Sequence, residues 1–226
     1  PIGKPHFYLK DLYGNVFEIV EGDSWFGKTP YTTGGAFGAV MGVTDIERSK
    51  KFYGDILGFD TVVYDKTDTF ADTAVLDGGH VRSRRVLLAQ SQNRRGPFSK
   101  LLGNGTIELV QIFDRTPNKI FKDRFWGDLG FIHMCFDIQG MDKMKALCTE
   151  KGYPFTVDSG NHFDMGEAAG HFSYIEDPDG ALIEFVETHK VPILKKFGWY
   201  LNLKKRNPEQ PLPNWMLKAM GLNRVK

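Results

Sequence analysis

The sequence is poor in cysteine, in long apolar runs and in an excess of one charge. Its two cysteines, Cys135 and Cys148, do not predict a disulfide framework, so a reducing, cytoplasmic location is expected. No stretch approaches the ~20 apolar residues of a membrane span, and no membrane partner is expected. The 29 lysines and arginines nearly balance the 28 aspartates and glutamates, which argues against nucleic acid as a partner.

The stretch 171–187, HFSYIEDPDGALIEFVE, predicts a strand, a turn and a second strand. In the turn DPDG, proline fixes φ and Gly180 supplies the positive φ that other residues avoid. The second strand carries Glu184 inside an apolar run. A carboxylate there is costly unless a metal ion or a positive charge pairs with it. The alternative is a solvent-facing position on a half-buried strand.

This turn and strand recur in the chain. Residues 11–21, DLYGNVFEIVE, repeat the pattern and place Glu18 where the later copy has Glu184. A weaker copy, residues 103–110, places Glu108 at the same position. Three apolar strands with a carboxylate at one position favour a shared role for these glutamates over a solvent-facing one.

A strand followed by an amphipathic helix is also repeated. Residues 37–59 read FGAVMGVTDIERSKKFYGDILGF, and residues 132–153 show the same organisation. Aligning the two helices places Gly38 opposite His133. A strand–helix–strands unit therefore occurs twice, and its last strand a third time, which indicates internal duplication.

The helix IERSKKFYGDILGF and the later strand DPDGALIEF resemble the vicinal oxygen chelate superfamily of glyoxalases, bleomycin-resistance proteins and extradiol dioxygenases. The resemblance implies an α+β fold in which paired βαβββ modules form a cupped mixed sheet. It also implies a metal held by the first and last strands of each module, with His or Glu at the ligand positions. The C-terminal tail and a partial upstream module are additions to this pattern.

Carried onto this chain, the resemblance implies that Glu108, His133 and Glu184 bind one divalent metal, with Glu108 or Glu184 also acting as the catalytic base. Gly38 departs from the pattern, because histidine is common at that position, and it is expected to leave open space beside the metal. Oxygen-rich sites of this kind suit Fe, Mn, Ni or Mg better than a structural Zn, but the sequence does not choose the metal.

The predicted domain organisation follows the repeats. Residues 1–22 form the closing hairpin of an upstream module expected to precede Pro1. The other segments are a linker at 23–35, a module at 36–114, a linker at 115–129, a module at 130–188 and an extension at 189–226. The extension could cover the cup, strap the modules together or dock a second subunit. A homodimer, or association with the missing N-terminal part, is the expected protein partnership.

Several further residues are candidates for the binding region. Arg82, Arg84 and Arg85 form a basic cluster on a predicted strand, for which a solvated face is favoured over a carboxylate or phosphate site. Tyr174 is either a packing residue or a pocket hydroxyl. The remaining polar candidates are His162, Asp164 and Glu167 in a loop and His171 on the strand after it, each of which alone is more typical of a surface polar group. The aromatic residues Phe121, Phe125 and Trp126 are expected to line the opening of the cup.

Three functions remain open. The first is a metal-dependent isomerase or lyase acting on a small carbonyl or thioester substrate through a metal-bound enediolate, which His133 and two carboxylates favour. The second is a non-catalytic binding module of the bleomycin-resistance type, which Gly38 favours. The third is an extradiol-type ring-cleaving dioxygenase. All three predict a small molecule as the partner.

Overall fold

The computed structural model describes residues 1–22, 26, 34–164 and 169–223. The strands in these ranges are β1 His6–Lys10, β2 Val16–Val20, β3 Gly38–Gly42, β4 Thr61–Asp68, β5 Ser83–Ala89, β6 Thr106–Ile112, β7 His133–Asp137, β8 Val157–Asp158, β9 Phe163–Asp164, β10 Ala169–Glu176, β11 Leu182–Leu194 and β12 Trp199–Asn202. The α-helices are α1 Ile46–Leu57, α2 Ser99–Leu102, α3 Met141–Glu150 and α4 Asn214–Met220. Within the described ranges, no helix has the length and apolar character that crossing a bilayer requires.

Two units of the chain share one topology. The first module orders its strands β3-β6-β5-β4, and the second joins β7 to β11, β11 to β10 and β10 to β8. In each module the first strand is parallel to the last, and the remaining pairs are antiparallel. The predicted α+β class with mixed sheets is confirmed. Strand β11 continues to Leu194, beyond the predicted module boundary at 188.

A local cap marks the start of helix α1, whereas a carboxylate distant in the sequence lies at the start of α3. Asp45 caps α1 by accepting a hydrogen bond from the Arg48 amide, and Gly58 ends the helix with φ of 73°. Helix α3 starts after Gly140, whose amide donates to a Glu187 carboxylate oxygen at 2.7 Å. A carboxylate at a helix N-terminus is favourable because the helix dipole is positive there.

The two modules share one hydrophobic core between their helices and their sheets. Its fully or largely buried members are Val43, Ile46, Phe52, Tyr53, Ile56, Phe59, Val86, Leu88, Ile107, Leu109, Met141, Cys148, Ile175, Ile183 and Phe185. Full burial of one of the larger apolar side chains in this set contributes about 1.5–3 kcal/mol to the stability of the fold. Polar contacts add to the packing: the Tyr53 hydroxyl donates to Asp177 at 2.9 Å, and the Thr44 hydroxyl donates to Asp179 at 2.5 Å. The opposite face of each sheet, called the concave face here, is left for other contacts.

The C-terminal extension straps the two modules together, one of the three roles expected for it. Strand β12 pairs with the extended part of β11, and α4 packs against β11. The Leu212 amide donates to the Pro97 carbonyl of the first module at 2.9 Å, and the Gly96 amide donates to the Glu209 carbonyl at 3.2 Å. Phe98 joins the apolar cluster that the extension forms.

The N-terminal hairpin β1–β2 forms a separate sheet that lies against the first module. The Ile2 amide donates to the Tyr64 hydroxyl at 3.2 Å, and His6 lies 3.3 Å from Asp72. Strand alternation places Phe7 and Leu9 on the outer face, where both are exposed. The hairpin thus closes over a module of this chain, while the upstream module expected from the sequence stays a prediction.

Candidate functional site

Strand register places the predicted ligand residues at equivalent positions of the two modules. Gly38 pairs with Thr106, two residues before Glu108, and His133 pairs with Leu182, two residues before Glu184. The residues flanking each glutamate are buried in the shared core. Because side chains alternate along a strand, both glutamates point to the concave faces.

In the second module, the structure brings His133 and Glu184 together. His133 Nε2 lies 3.0 Å from Glu184 Oε2, and the Tyr174 hydroxyl donates to Glu184 Oε1 at 2.7 Å. Burial and this hydrogen bond raise the pKa of Tyr174 above its ordinary value, because ionising the phenol would place two negative charges in contact. Tyr174 is therefore a pocket hydroxyl that holds the carboxylate in place.

Aromatic rings cover this polar group. Trp126 stacks on His133 with ring centroids 5.4 Å apart and an interplanar angle of 8°. Tyr174 presents its edge to both rings at 5.6 and 5.5 Å, and Phe121 packs against Trp126 at 5.4 Å. The loop that carries Trp126 is organised by the guanidinium of Arg124, which donates to the carbonyls of Ile120, Asp128, Leu129 and Phe131.

A cavity of about 790 Å³ opens beside this group on the concave face. Its lining is mainly aromatic and aliphatic, with Glu184 and Glu176 as acidic members. The lining residues are Phe121, Trp126, Thr156, Val157, Ala169, Gly170, His171, Phe172, Tyr174, Glu176, Leu182, Glu184, Val186 and Thr188. Phe121 and Trp126 line the opening as expected, whereas Phe125 is exposed and is absent from the described lining.

The concave face of the first module is filled rather than open. Glu108 is buried, and its Oε1 accepts a hydrogen bond from Arg85 Nε at 2.5 Å. Arg85, only 2% exposed, also donates to Asp72 at 2.7 and 2.9 Å. The hairpin contributes His6 and Tyr8 to this cluster, and burial raises the pKa of Tyr8 to about 12. The solvated strand face favoured for Arg85 is therefore wrong, since Glu108 and Asp72 neutralise it inside the protein.

His133 and Glu184 are two neighbouring side chains that could donate to a metal ion, and the described residues do not group a third donor with them. Among the described residues, no group of three or more His, Cys, Asp or Glu side chains is arranged to hold a metal ion. Glu108 is bound to Arg85, whose positive charge opposes a cation at that carboxylate. The three-ligand centre of Glu108, His133 and Glu184 therefore stays a prediction that this arrangement of side chains does not fit.

Of the remaining polar candidates whose side chains the structure describes, His171 on β10 does not add to the pair. His171 lines the cavity, yet its Nε2 lies 2.5 Å from Asp158, a partner of Lys145 on the helix side of the sheet. Its imidazole therefore joins β8 to β10. The side chains of His162 and Asp164 lie outside the described part of the chain, as does the whole of Glu167.

Gly38 does not leave the open space expected at that position. A Cβ atom there would overlap the carbonyl and hydroxyl oxygens of Thr106 on the adjacent strand, whereas at Gly105 the nearest atom would be 3.9 Å away. We expect Gly38→Ala to lower the free energy of unfolding by about 1–3 kcal/mol, the usual cost of overpacking. Urea unfolding of both variants checks this expectation, and equal effects of Gly38→Ala and Gly105→Ala would contradict the close contact.

Asp137, on the concave face of β7, gives a pH-dependent prediction. Burial raises the pKa of this carboxyl to about 7. A raised pKa means that the folded state favours the protonated carboxyl over the carboxylate. The resulting stabilisation is complete below the unfolded-state pKa near 4 and is lost as the pH rises to about 7. Asp137→Asn should therefore be more stable than the wild type at pH 8 by roughly 1–3 kcal/mol, with little difference at pH 4. Unfolding curves at the two pH values test the sign, and a variant less stable at pH 8 would contradict it.

Comparisons with known proteins agree with this architecture. The family model described as Glyoxalase/Bleomycin resistance protein/Dioxygenase superfamily matches residues 37–185. No curated protein matches the chain. Among solved structures, the glyoxalase family protein from Bacillus cereus is 14% identical with a TM-score of 0.52, covering 72% of this chain and 99% of its own. The glyoxalase family protein from Enterococcus faecalis is 17% identical with a TM-score of 0.48, and the match covers 68% of this chain and 97% of that protein. A fosfomycin resistance protein, FosX, from Listeria monocytogenes, complexed with Mn(II) and sulfate, is 15% identical with a TM-score of 0.41, covering 68% and 91%.

Proposed function

Since the chain belongs to the glyoxalase/bleomycin resistance protein/dioxygenase superfamily, we propose that it binds a small, largely apolar molecule on the concave face of its second module. The observation that carries this proposal is the cavity of about 790 Å³, with an aromatic lining and one convergent polar group. Ligand pockets typically enclose about 300–1,000 Å³ and combine apolar walls with a few fixed polar groups. In the first module, the hairpin and Arg85 occupy the corresponding face.

Each part of the second-module site has a separate task. Trp126 and Phe172 provide ring surfaces for the apolar body of the ligand, whose burial supplies the main driving force. Glu184, 16% exposed, accepts a hydrogen bond from the ligand. Tyr174 and His133 hold that carboxylate in one orientation, so the ligand does not have to order it on binding.

Saturation-transfer difference NMR with benzyl alcohol, a small neutral aromatic probe, tests this proposal. Wild-type protein should transfer saturation to the probe. Val186→Trp, which fills the cavity, should abolish the signal. Val62→Trp, on the exposed strand β4 away from the cavity, is the matched control and should retain it. A Val186→Trp variant that is folded and still transfers saturation would refute the second-module site.

A metal-dependent isomerase or lyase acting on a small carbonyl or thioester is the second candidate. It is favoured by one observation, the 3.0 Å contact between His133 and Glu184 at two positions where the superfamily resemblance implies ligands. Glu108 could join them only after leaving Arg85. Catalysis by Glu108 or Glu184 and the choice among Fe, Mn, Ni, Mg and Zn stay predictions, as does ring-cleaving dioxygenase activity.

Calorimetric titration with Mn²⁺ and Ni²⁺ separates the two candidates. The binding-module proposal predicts no saturable metal binding below about 1 mM, because His133 and Glu184 are the two neighbouring donors at this site. A Kd of 1 mM corresponds to a binding free energy of about −4 kcal/mol. Micromolar binding that is lost in both His133→Ala and Glu184→Gln would instead support the metal-dependent enzyme.

A further inference from the structure

We propose that the ligand of the second-module cavity is an organic cation, an amine attached to an aromatic or other apolar body. This inference rests on the proposed function, because it specifies the ligand class of the same cavity. It follows from the charges that line the cavity, from the acceptor atoms of Glu184 and from the accessible surface of Trp126.

The described lining of the cavity is acidic. Glu184 and Glu176 are its carboxylates, and no lysine or arginine is among its described lining residues. Glu176 has a largely exposed counter-charge, since Lys119 Nζ, 59% exposed, lies 3.8 Å from its Oε2, and Glu184 has the imidazole of His133 at 3.0 Å. An anionic ligand would place its charge beside the largely buried Glu184 carboxylate, which is unfavourable.

Glu184 has acceptor capacity left for a donor. A carboxylate offers about four lone-pair positions. The Tyr174 hydroxyl uses one on Oε1, the His133 contact uses one on Oε2, and the Cys135 thiol is a further hydrogen-bond partner. One position therefore remains able to accept from an N–H group in the cavity. An ammonium group and an alcohol can both donate to the carboxylate, but only the ammonium adds the Coulomb attraction of opposite charges, so a protonated amine satisfies this acceptor better than an alcohol does.

The aromatic walls favour the same charge. Trp126 is 58% exposed although one of its faces stacks on His133, so ring surface remains for a ligand. Phe172 also lines the cavity, and its ring is T-shaped to that of Tyr174 with centroids 6.1 Å apart. The faces of aromatic rings attract cations within about 6 Å, and indole does so most strongly. A cation beside these rings and Glu184 is stabilised by both.

Three probes of similar size and different charge test this inference on the unmodified protein. Benzylammonium, benzyl alcohol and benzoate share one ring and differ in the group presented to Glu184. We expect benzylammonium to bind at least ~10-fold more tightly than benzyl alcohol, because only the ammonium forms an ion pair with Glu184, and benzoate not to bind measurably. Glu184→Gln should remove the preference for the ammonium, whereas Glu150→Gln, an exposed change on α3, should retain it.

The outcomes distinguish this inference from the proposed function. Equal binding of benzylammonium and benzyl alcohol, or tighter binding of benzoate, would overturn the cationic ligand and leave the apolar binding site in place. Absence of binding by all three probes would overturn both. The probe comparison on wild-type protein decides the matter even if the Glu184→Gln variant fails to fold.

Discussion

Arg85→Met is expected to lower the free energy of unfolding by roughly 3–5 kcal/mol, the usual loss when one partner of a buried ion pair is removed. The guanidinium lies between the buried Glu108 and the partly buried Asp72. Methionine keeps much of the packing volume and removes the charge. Glu108 then remains as an uncompensated carboxylate in the interior, which accounts for the size of the effect.

Equilibrium unfolding in urea measures this loss, with Arg84→Met as the matched control. Arg84 precedes Arg85 but points to the other side of the strand, where it pairs with Asp65 and Glu47 at a partly exposed site. Ion pairs at exposed sites contribute about 0–1 kcal/mol to the free energy of unfolding, so Arg84→Met should have a small effect. The double variant Arg85→Met with Glu108→Leu should recover much of the stability, since the buried carboxylate is gone and the partly exposed Asp72 keeps its contact with His6. Similar losses in Arg84→Met and Arg85→Met would contradict the buried-pair account.

The duplicated turn provides a second large prediction with its own internal control. Asp177 accepts hydrogen bonds from the amides of Asp179 and Ala181 and from the Tyr53 hydroxyl, and it is 4% exposed. Burial raises its pKa above the ordinary value. We expect Asp177→Ala to lower the free energy of unfolding by about 2–4 kcal/mol, because several donors at the contact between the modules lose their acceptor.

Asp11 makes the same turn at the surface and serves as the comparison. It accepts from the amides of Tyr13 and Asn15 and from the side-chain amide of Asn15, but it is only partly buried. Water can replace the lost acceptor there, so Asp11→Ala should lower the free energy of unfolding much less than Asp177→Ala does. Thermal or urea unfolding of the two variants gives the difference, and a larger effect at Asp11 than at Asp177 would show that burial does not set the cost.

The repeated motifs made much of the fold predictable. Helix α1 occupies Ile46–Leu57 because an aspartate cap and a C-terminal glycine mark its ends locally in the sequence. The strand–helix–strands order followed from the repeats. The docking of hairpin β1–β2 on the first module was not predictable, and the sequence could not choose the strap from the three roles expected for the extension, because both depend on contacts between distant segments that have no local pattern.

The candidate site was predictable in part for the same reason. The alignment that placed Gly38 opposite His133 and Glu108 opposite Glu184 matches the strand register, since side-chain direction alternates regularly along strands. The role of Arg85 was missed because alternation alone does not show which face of a strand the hairpin will cover. One feature of the sequence does point to this role. Arg85 directly precedes the apolar run VLLA, and an arginine next to a buried run requires a partner of opposite charge.

The two modules thus use equivalent glutamates in different ways. Glu108 neutralises a buried arginine beneath the hairpin, and Glu184 faces an open aromatic cavity together with His133 and Tyr174. Duplication supplies two concave faces. In this account, one face stabilises the fold and the other binds a ligand.

Crystals soaked with a mixture of small aromatic fragments would test this division most directly. The account predicts fragment density in the second-module cavity, between Trp126 and Phe172 and within hydrogen-bonding distance of Glu184, with the pair of Arg85 and Glu108 unchanged. Fragments bound at Glu108, with the hairpin displaced and the second-module cavity empty, would contradict it.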